Sequence, residues 1–106
     1  MRLQHDLRRD LLRFILEERS GSARDAVATI DIGEGGRLLG VEVDGIAADP
    51  GQDDWYLSIS EAQVGGFVRS ARADVRVEVA DDGAVVALEV PRHGAGYEIS
   101  WPSGNR

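Results

Sequence analysis

The sequence predicts an α+β fold in which one N-terminal amphipathic helix packs on an antiparallel meander sheet. Two observations predict it. Apolar residues near the N-terminus recur at helical spacing, and from residue 26 onward they alternate with polar residues at the period of a β-strand. Glycine-containing turns between the alternating runs indicate hairpins. We therefore expect a single domain over residues 1–106, in the order α-β-β-β-(short α)-β-β-β.

Composition is consistent with one small domain and limits its partners. The chain has 106 residues, 42% of them hydrophobic and 29% charged. Its formal charge of −7 argues against nucleic-acid binding by phosphate neutralisation. No uncharged run is long enough to span a bilayer, so no membrane partner is expected. The chain has no cysteine and no secretory-signal layout, and we expect a cytoplasmic protein without disulfides.

The first predicted element is a helix over residues 3–19. Apolar residues recur along it at spacings of three and four: Leu3, Leu7, Leu11, Phe14 and Ile15. Charged residues fill most of the remaining positions, as expected for a helix with one buried face. Gly21 follows the pattern and suits the left-handed conformation that commonly ends a helix.

Two antiparallel meanders are predicted to follow, over residues 26–60 and 74–101. Apolar and polar residues alternate along three runs in each, as in strands with one buried face. Between the meanders, Ser60-Glu-Ala-Gln63 has the capping-box pattern that opens a helix. We therefore expect a short helical turn over residues 61–70.

Two turn dipeptides predict the register of a hairpin in each meander. Gly35-Gly36 and Asp82-Gly83 both tolerate the positive φ angles that a tight hairpin turn requires. Two-residue turns centred there bring apolar side chains together on one face, in the pairs Ile32–Leu39, Ile30–Val41, Val79–Val86 and Val77–Leu88. A slip of one residue would move every one of these side chains to the opposite face.

The two meanders resemble each other in sequence. Residues 30–43 match residues 77–90 at an offset of 47, and Leu57-Ser-Ile-Ser60 matches Tyr97-Glu-Ile-Ser100 at an offset of 40. An internal duplication explains the match, and hairpin chemistry common to both halves explains it equally well.

The sequence contains no recognisable catalytic set, and we expect no catalytic residue, no metal site and no cofactor. His5 and His93 are its two histidines and are predicted in separate elements, so neither a catalytic triad nor a transition-metal centre is expected. The acidic loop 44–54 lacks the ligand spacing of an EF-hand. Arg92-His93-Gly94 is similar to the phosphohistidine motif of the histidine phosphatases, but too few residues follow it to supply the rest of such a site.

One set of charged residues on the second meander is a candidate for ligand binding: Arg76, Glu89, Arg92, His93 and Glu98. A two-residue turn at His93-Gly94 would place Glu89 opposite Glu98, with Arg76 on its other side. Facing carboxylates raise the pKa of one of the pair, as an acid–base pair requires. A solvated polar face is the alternative, and a longer loop would remove the pairing.

Some positions predicted to face outward are small or apolar and suggest a protein interface: Leu38, Tyr56, Val85 and Ala87. The negative charge belongs mostly to the residues after Arg19, so a charged partner of the sheet would be basic. Strand edges at the ends of the meanders also favour pairing with a second copy, as a homodimer.

The acidic, helix-then-meander order resembles the small secretion-chaperone and immunity-protein type of bacterial binding module, although those chaperones end in a helix. The resemblance covers element order and charge, and it implies a protein partner. The leading hypothesis is a non-catalytic binding or accessory protein that meets its partner through an acidic sheet face and loops. A small-molecule binder or minor enzyme using the Arg/Glu/His set, and a self-associating structural subunit, remain alternatives.

Overall fold

A computed structural model describes residues 2–46, 54–59 and 66–100. The strands are β1 (Arg2–Asp6), β2 (Leu11–Ile15), β3 (Ser22–Gly33), β4 (Leu38–Asp44), β5 (Asp54–Ser58), β6 (Phe67–Val79), β7 (Val85–Pro91), β8 (His93–Gly94) and β9 (Tyr97–Glu98). One seven-stranded antiparallel sheet has the order β1-β2-β7-β6-β3-β4-β5, and β8 and β9 form a separate hairpin. The described residues contain no α-helix, only a 3₁₀ turn at Glu34–Gly36. The predicted α+β class is therefore wrong, and the fold is all-β.

The segment predicted as a helix over residues 3–19 forms the hairpin β1–β2. Leu12 and Phe14, two positions apart, are fully buried, whereas Leu7 of the predicted apolar stripe is 80% exposed. A short leucine-rich run satisfies the period of a strand as well as that of a helix. The strand forms because β2 pairs with β7 along its whole length. Periodicity within the segment contains no information about that partner.

The turn between β1 and β2 has no glycine to signal it. The Asp6 carboxylate accepts hydrogen bonds from the backbone N–H groups of Arg8 and Arg9, at 3.0 and 3.1 Å. Asp10 takes a positive φ of 55°, which aspartate tolerates better than most residues. Aspartate side chains therefore stabilise this turn, whereas glycines with positive φ form the later turns.

Both predicted glycine hairpins form, and their predicted registers are confirmed away from the turns. Ile30 lies opposite Val41, and Val77 lies opposite Leu88. The glycines at the turns have positive φ angles: 74° at Gly35, 82° at Gly36 and 90° at Gly83. Next to the turns the prediction is wrong, because each turn has three residues and not two, and the register shifts by one. Ile32 therefore lies opposite Leu38 instead of Leu39, and Val79 lies opposite Val85 instead of Val86.

The two hairpins correspond in structure at the same offset of 47 that relates their sequences. β4 and β7 begin and end at corresponding residues, and the register shifts fall at corresponding steps. β3 and β6 pair antiparallel, and Val27 lies opposite its own counterpart, Asp74. An approximate twofold axis therefore passes between β3 and β6 and relates β3–β4 to β6–β7.

The third strands do not follow the predicted repeat. β5 pairs with β4, but the corresponding edge of β7 is taken by β2 and not by residues 97–100. Instead Gly94 pairs with Tyr97 in the small β8–β9 hairpin. The Arg92 N–H donates to the Asp10 carbonyl oxygen at 3.0 Å, which extends the β2–β7 ladder by one residue before the chain enters this hairpin.

The helical turn predicted over residues 61–70 is also corrected. Residues 67–70 belong to β6, which pairs with β3 as far as Phe67 opposite Gly33. Residues 61–65 lie outside the described part of the chain. Pairing along β3 outweighs the local helix signal at 67–70, because each residue added to a ladder gains hydrogen bonds as well as packing.

The hydrophobic core lies on the inner face of the sheet. Side chains from both halves of the repeat belong to one buried cluster, so the sheet curls around them; the largest include Leu12, Phe14, Ile30, Val41, Val43, Val77 and Leu88. Buried Tyr97 and Ile99 join that cluster from the C-terminal segment. Charged side chains are left on the outer face. Within the described ranges, no helix is long and apolar enough to cross a membrane.

Candidate functional site

The outer surface of β3, β4 and β5 carries a group of carboxylates that we call the acidic face: Asp31, Glu42, Asp44 and Asp54. Register places them together, because Asp44 lies opposite Asp54 and Glu42 lies opposite Tyr56. Tyr56 is 54% exposed, and its ring lies over Gly40, where a side chain would collide with it. The face therefore consists of an exposed aromatic ring with acids around it.

The neighbouring carboxylates of the acidic face raise the pKa of Glu42. A hydrogen bond shared with Asp54 raises the pKa of Glu42 above its usual value, and partial burial and the charges of Asp54, Asp44 and Asp31 act in the same direction. Arg72 is the cation beside this group, and it already bonds to the Asp44 carboxylate at 2.6 Å and to the Thr29 hydroxyl at 2.7 Å. The acids are thus incompletely compensated by the described residues.

The equivalent position in the other half of the repeat shows the opposite electrostatics. Glu89 corresponds to Glu42, and the residue opposite it on β2 is Arg13, where β5 has Tyr56. An Arg13 Nη1 atom lies 3.1 Å from Glu89 Oε2 and 2.7 Å from Glu78 Oε2. The same glutamate position is therefore neutralised in one half and surrounded by acids in the other.

The residues predicted to bind a ligand fall into two separate groups. Arg76 lies opposite Glu89, as the hairpin register predicts, and both line a surface groove of about 660 Å³ between β2–β7 and β3–β6. Arg92, His93 and Glu98 lie outside that groove, near the β8–β9 hairpin. Glu98 pairs with His93 and not with Glu89, so the predicted pair of facing glutamates does not form. Ligand binding by this set stays a prediction.

Arg92 and His93 instead belong to a cluster centred on Asp10. Arg92 Nε donates to Asp10 Oδ1 at 2.7 Å, His5 Nε2 lies 3.0 Å from the same oxygen, and His93 Nδ1 lies 3.4 Å from Oδ2. This Asp10 cluster connects the β1–β2 turn to the C-terminal segment. Asp10 and His5 were missed as partners because a helix would have separated them from residues 92–93. Within the described residues, no three His, Cys, Asp or Glu side chains are arranged so that they could hold a metal ion.

We expect Asp10→Asn to destabilise the protein at neutral pH and to have a much smaller effect near pH 2. Hydrogen bonds from Arg92 and then His5 lower the pKa of Asp10 from 3.8 to about 2. The ionised carboxylate therefore stabilises the fold above about pH 4, and this contribution is lost as the pH falls towards 2. Asparagine keeps the shape and tolerates the positive φ. Thermal unfolding of both proteins across this range measures the difference, and a difference at pH 2 as large as that at neutral pH contradicts the assignment.

Of the four residues predicted to form an interface, the structure leaves one on the surface. Tyr56 is exposed, whereas Leu38, Val85 and Ala87 are 0%, 8% and 2% exposed. Leu38 and Val85 are corresponding residues beside the register shifts, where the regular alternation of faces is interrupted. Ala87 is a small side chain between longer ones, opposite Ile15 and Glu78. These three side chains are therefore not exposed as predicted, and the interface itself stays a prediction.

Comparison with protein-family models, with curated proteins and with solved structures finds no match. The helix-then-meander order that supported a resemblance to secretion chaperones and immunity proteins is absent from the structure. Fold and site together define a class: a small all-β domain with a curled antiparallel sheet and an acidic outer face.

Proposed function

We propose that this protein is a non-catalytic binding protein whose acidic face accepts a basic segment of a partner protein. The contrast between Glu42 and Glu89 supports the proposal. Glu89 contacts Arg13 of its own chain, whereas Glu42 hydrogen-bonds to another carboxylate. A cation supplied by a partner would relieve the repulsion around Glu42, as Arg13 does around Glu89.

Tyr56 adds a contact that suits such a partner. Its exposed ring takes the place opposite Glu42 that Arg13 takes opposite Glu89. Arginine and lysine side chains stack on aromatic rings and bind carboxylates at the same time, so an arginine lying on Tyr56 would also reach Glu42. We propose the cytoplasm as the compartment, since a chain without cysteine needs no oxidising environment to fold.

Affinity capture with single charge reversals tests the proposed function. The immobilised proteins are the wild type, Glu42→Arg, and Asp81→Arg as the matched control, because Asp81 is exposed in the β6–β7 turn and outside the acidic face. We expect the wild type and the control to retain the same basic proteins, which salt releases. Glu42→Arg should retain none of them. Equal retention by all three proteins contradicts the proposal.

A further inference from the structure

The outer edge of β5 is the place where the sheet ends beside the acidic face. The Ile59 N–H donates to the Leu39 carbonyl oxygen at 2.9 Å, which continues the β4–β5 ladder. Hydrogen-bonded pairs alternate in an antiparallel ladder, so Leu57 also bonds towards β4. The backbone N–H and C=O groups of Tyr56 and Ser58 therefore point outward, where none of the described strands pairs with them.

The other half of the repeat shows how this kind of edge is completed. β2 occupies beside β7 the position that β5 occupies beside β4. The outer edge of β2 pairs with β1 from Arg2 opposite Ile15 to Asp6 opposite Leu11. Among the residues that the structure describes, no strand takes the corresponding place beside β5. Among the described strands, the same position is thus filled in one half and open in the other.

We propose that the basic segment of the partner binds in extended conformation as an additional strand on the outer edge of β5. This inference rests on the proposed function and adds the place and conformation of the bound segment. Backbone hydrogen bonds to Tyr56 and Ser58 fix its register. Every second side chain of the segment then lies on the acidic face.

Distance and charge both favour a basic extended segment over a second copy of this chain at the β5 edge. Neighbouring strands lie about 5 Å apart, so the added strand is about 10 Å from β4, within reach of an arginine directed at Glu42 across Tyr56. A second copy of the same edge would bring Asp54 and its neighbouring acids towards their own counterparts. Like charges brought together across strands are destabilising. A basic segment makes the same backbone bonds without that cost.

Three peptides and four forms of the full chain test the proposal by calorimetric titration at low salt. The first peptide has eight residues that alternate arginine and valine. The second is the same peptide with N-methyl groups on the arginines, whose N–H groups would face β5. The third replaces arginine with glutamate. The proteins are the wild type, Glu42→Gln, Ser58→Pro, which removes an outward N–H at an edge position that tolerates proline, and Ser58→Ala as its control.

We expect the arginine peptide to bind the wild type and Ser58→Ala alike. N-methylation and Ser58→Pro should each weaken binding about tenfold, since each removes backbone hydrogen bonds. Glu42→Gln should weaken binding of both arginine peptides, and the glutamate peptide should not bind. If Ser58→Pro fails to fold in thermal unfolding, the methylated peptide still tests the edge on the wild type.

The other outcomes separate the two proposals. Equal binding of the plain and methylated arginine peptides overturns strand addition and leaves the proposed function standing. Equal binding of the arginine and glutamate peptides overturns the proposed function, while sensitivity to Ser58→Pro would keep the edge as a binding site. No binding of any peptide overturns both. A wild-type dimer in sedimentation that Ser58→Pro dissociates assigns the edge to a second copy and overturns the inference.

Discussion

Phe14→Ala is expected to reduce the free energy of unfolding by about 3–5 kcal/mol. Phe14 is fully buried, opposite Leu3 of β1 and Leu88 of β7. Removing the ring leaves a cavity between strands from both ends of the chain, where the surrounding side chains can collapse only partly. Urea denaturation followed by intrinsic fluorescence or circular dichroism measures the loss.

Leu7→Ala is the matched control for this prediction. A helix over residues 3–19 would bury Leu7 and Phe14 on one stripe, whereas Leu7 is 80% exposed in the β1–β2 turn. We therefore expect Leu7→Ala to change stability by no more than about 0.5 kcal/mol. Equal losses for the two variants would contradict the hairpin.

Arg13→Gln is expected to destabilise the fold by about 1–3 kcal/mol. One Arg13 nitrogen bonds to both Glu78 and Glu89, whose side chains are only 23% and 12% exposed. Without the guanidinium, both partly buried carboxylates lose their closest cation, and Glu89 retains a longer contact of 3.6 Å with Arg9. Denaturation at neutral pH measures the effect, and a loss below about 0.5 kcal/mol would show that the contacts contribute little.

Glu42→Gln should act in the opposite direction and serves as the comparison. The pKa of Glu42 is raised above its ordinary value of 4.5 in the folded protein, so stability falls as the pH rises above 4.5, and the full loss is reached above the raised pKa. The glutamine variant should therefore melt at a higher temperature at neutral pH and match the wild type below pH 4.5. A lower melting temperature at neutral pH would remove the contrast on which the proposed function rests.

The approximate twofold axis explains why one half of the molecule is the candidate for binding. The N-terminal hairpin completes the second half, since β2 supplies Arg13 to Glu89 and β1 covers the outer edge of β2. The first half has β5 in the place of β2 but nothing in the described chain in the place of β1. The acidic face and the open edge are therefore two results of one difference between the halves.

Local chemistry was enough to predict part of the candidate site. The pairing of Arg76 with Glu89 follows from the hairpin register, because the turn and both strands lie within one continuous segment. The acidity of the sheet could also be read directly from the residues. In contrast, the contacts of Asp10 with Arg92 and His93 join the two ends of the chain, and no periodicity within either segment indicates them.

The two glycine hairpins and their pairing away from the turns follow from the sequence, because turn chemistry and alternation act over a few neighbouring residues. Whether the N-terminal segment forms a helix or strands depends on contacts with distant parts of the chain, because its leucines suit both structures. The edge of β7 selects the strand, since Leu12 and Phe14 then pair with Val90 and Leu88 and enter the core. The same pairing places Arg13 of β2 beside Glu89. The sequence around the two glutamates does not indicate that, among the described residues, Glu89 contacts an arginine and Glu42 does not.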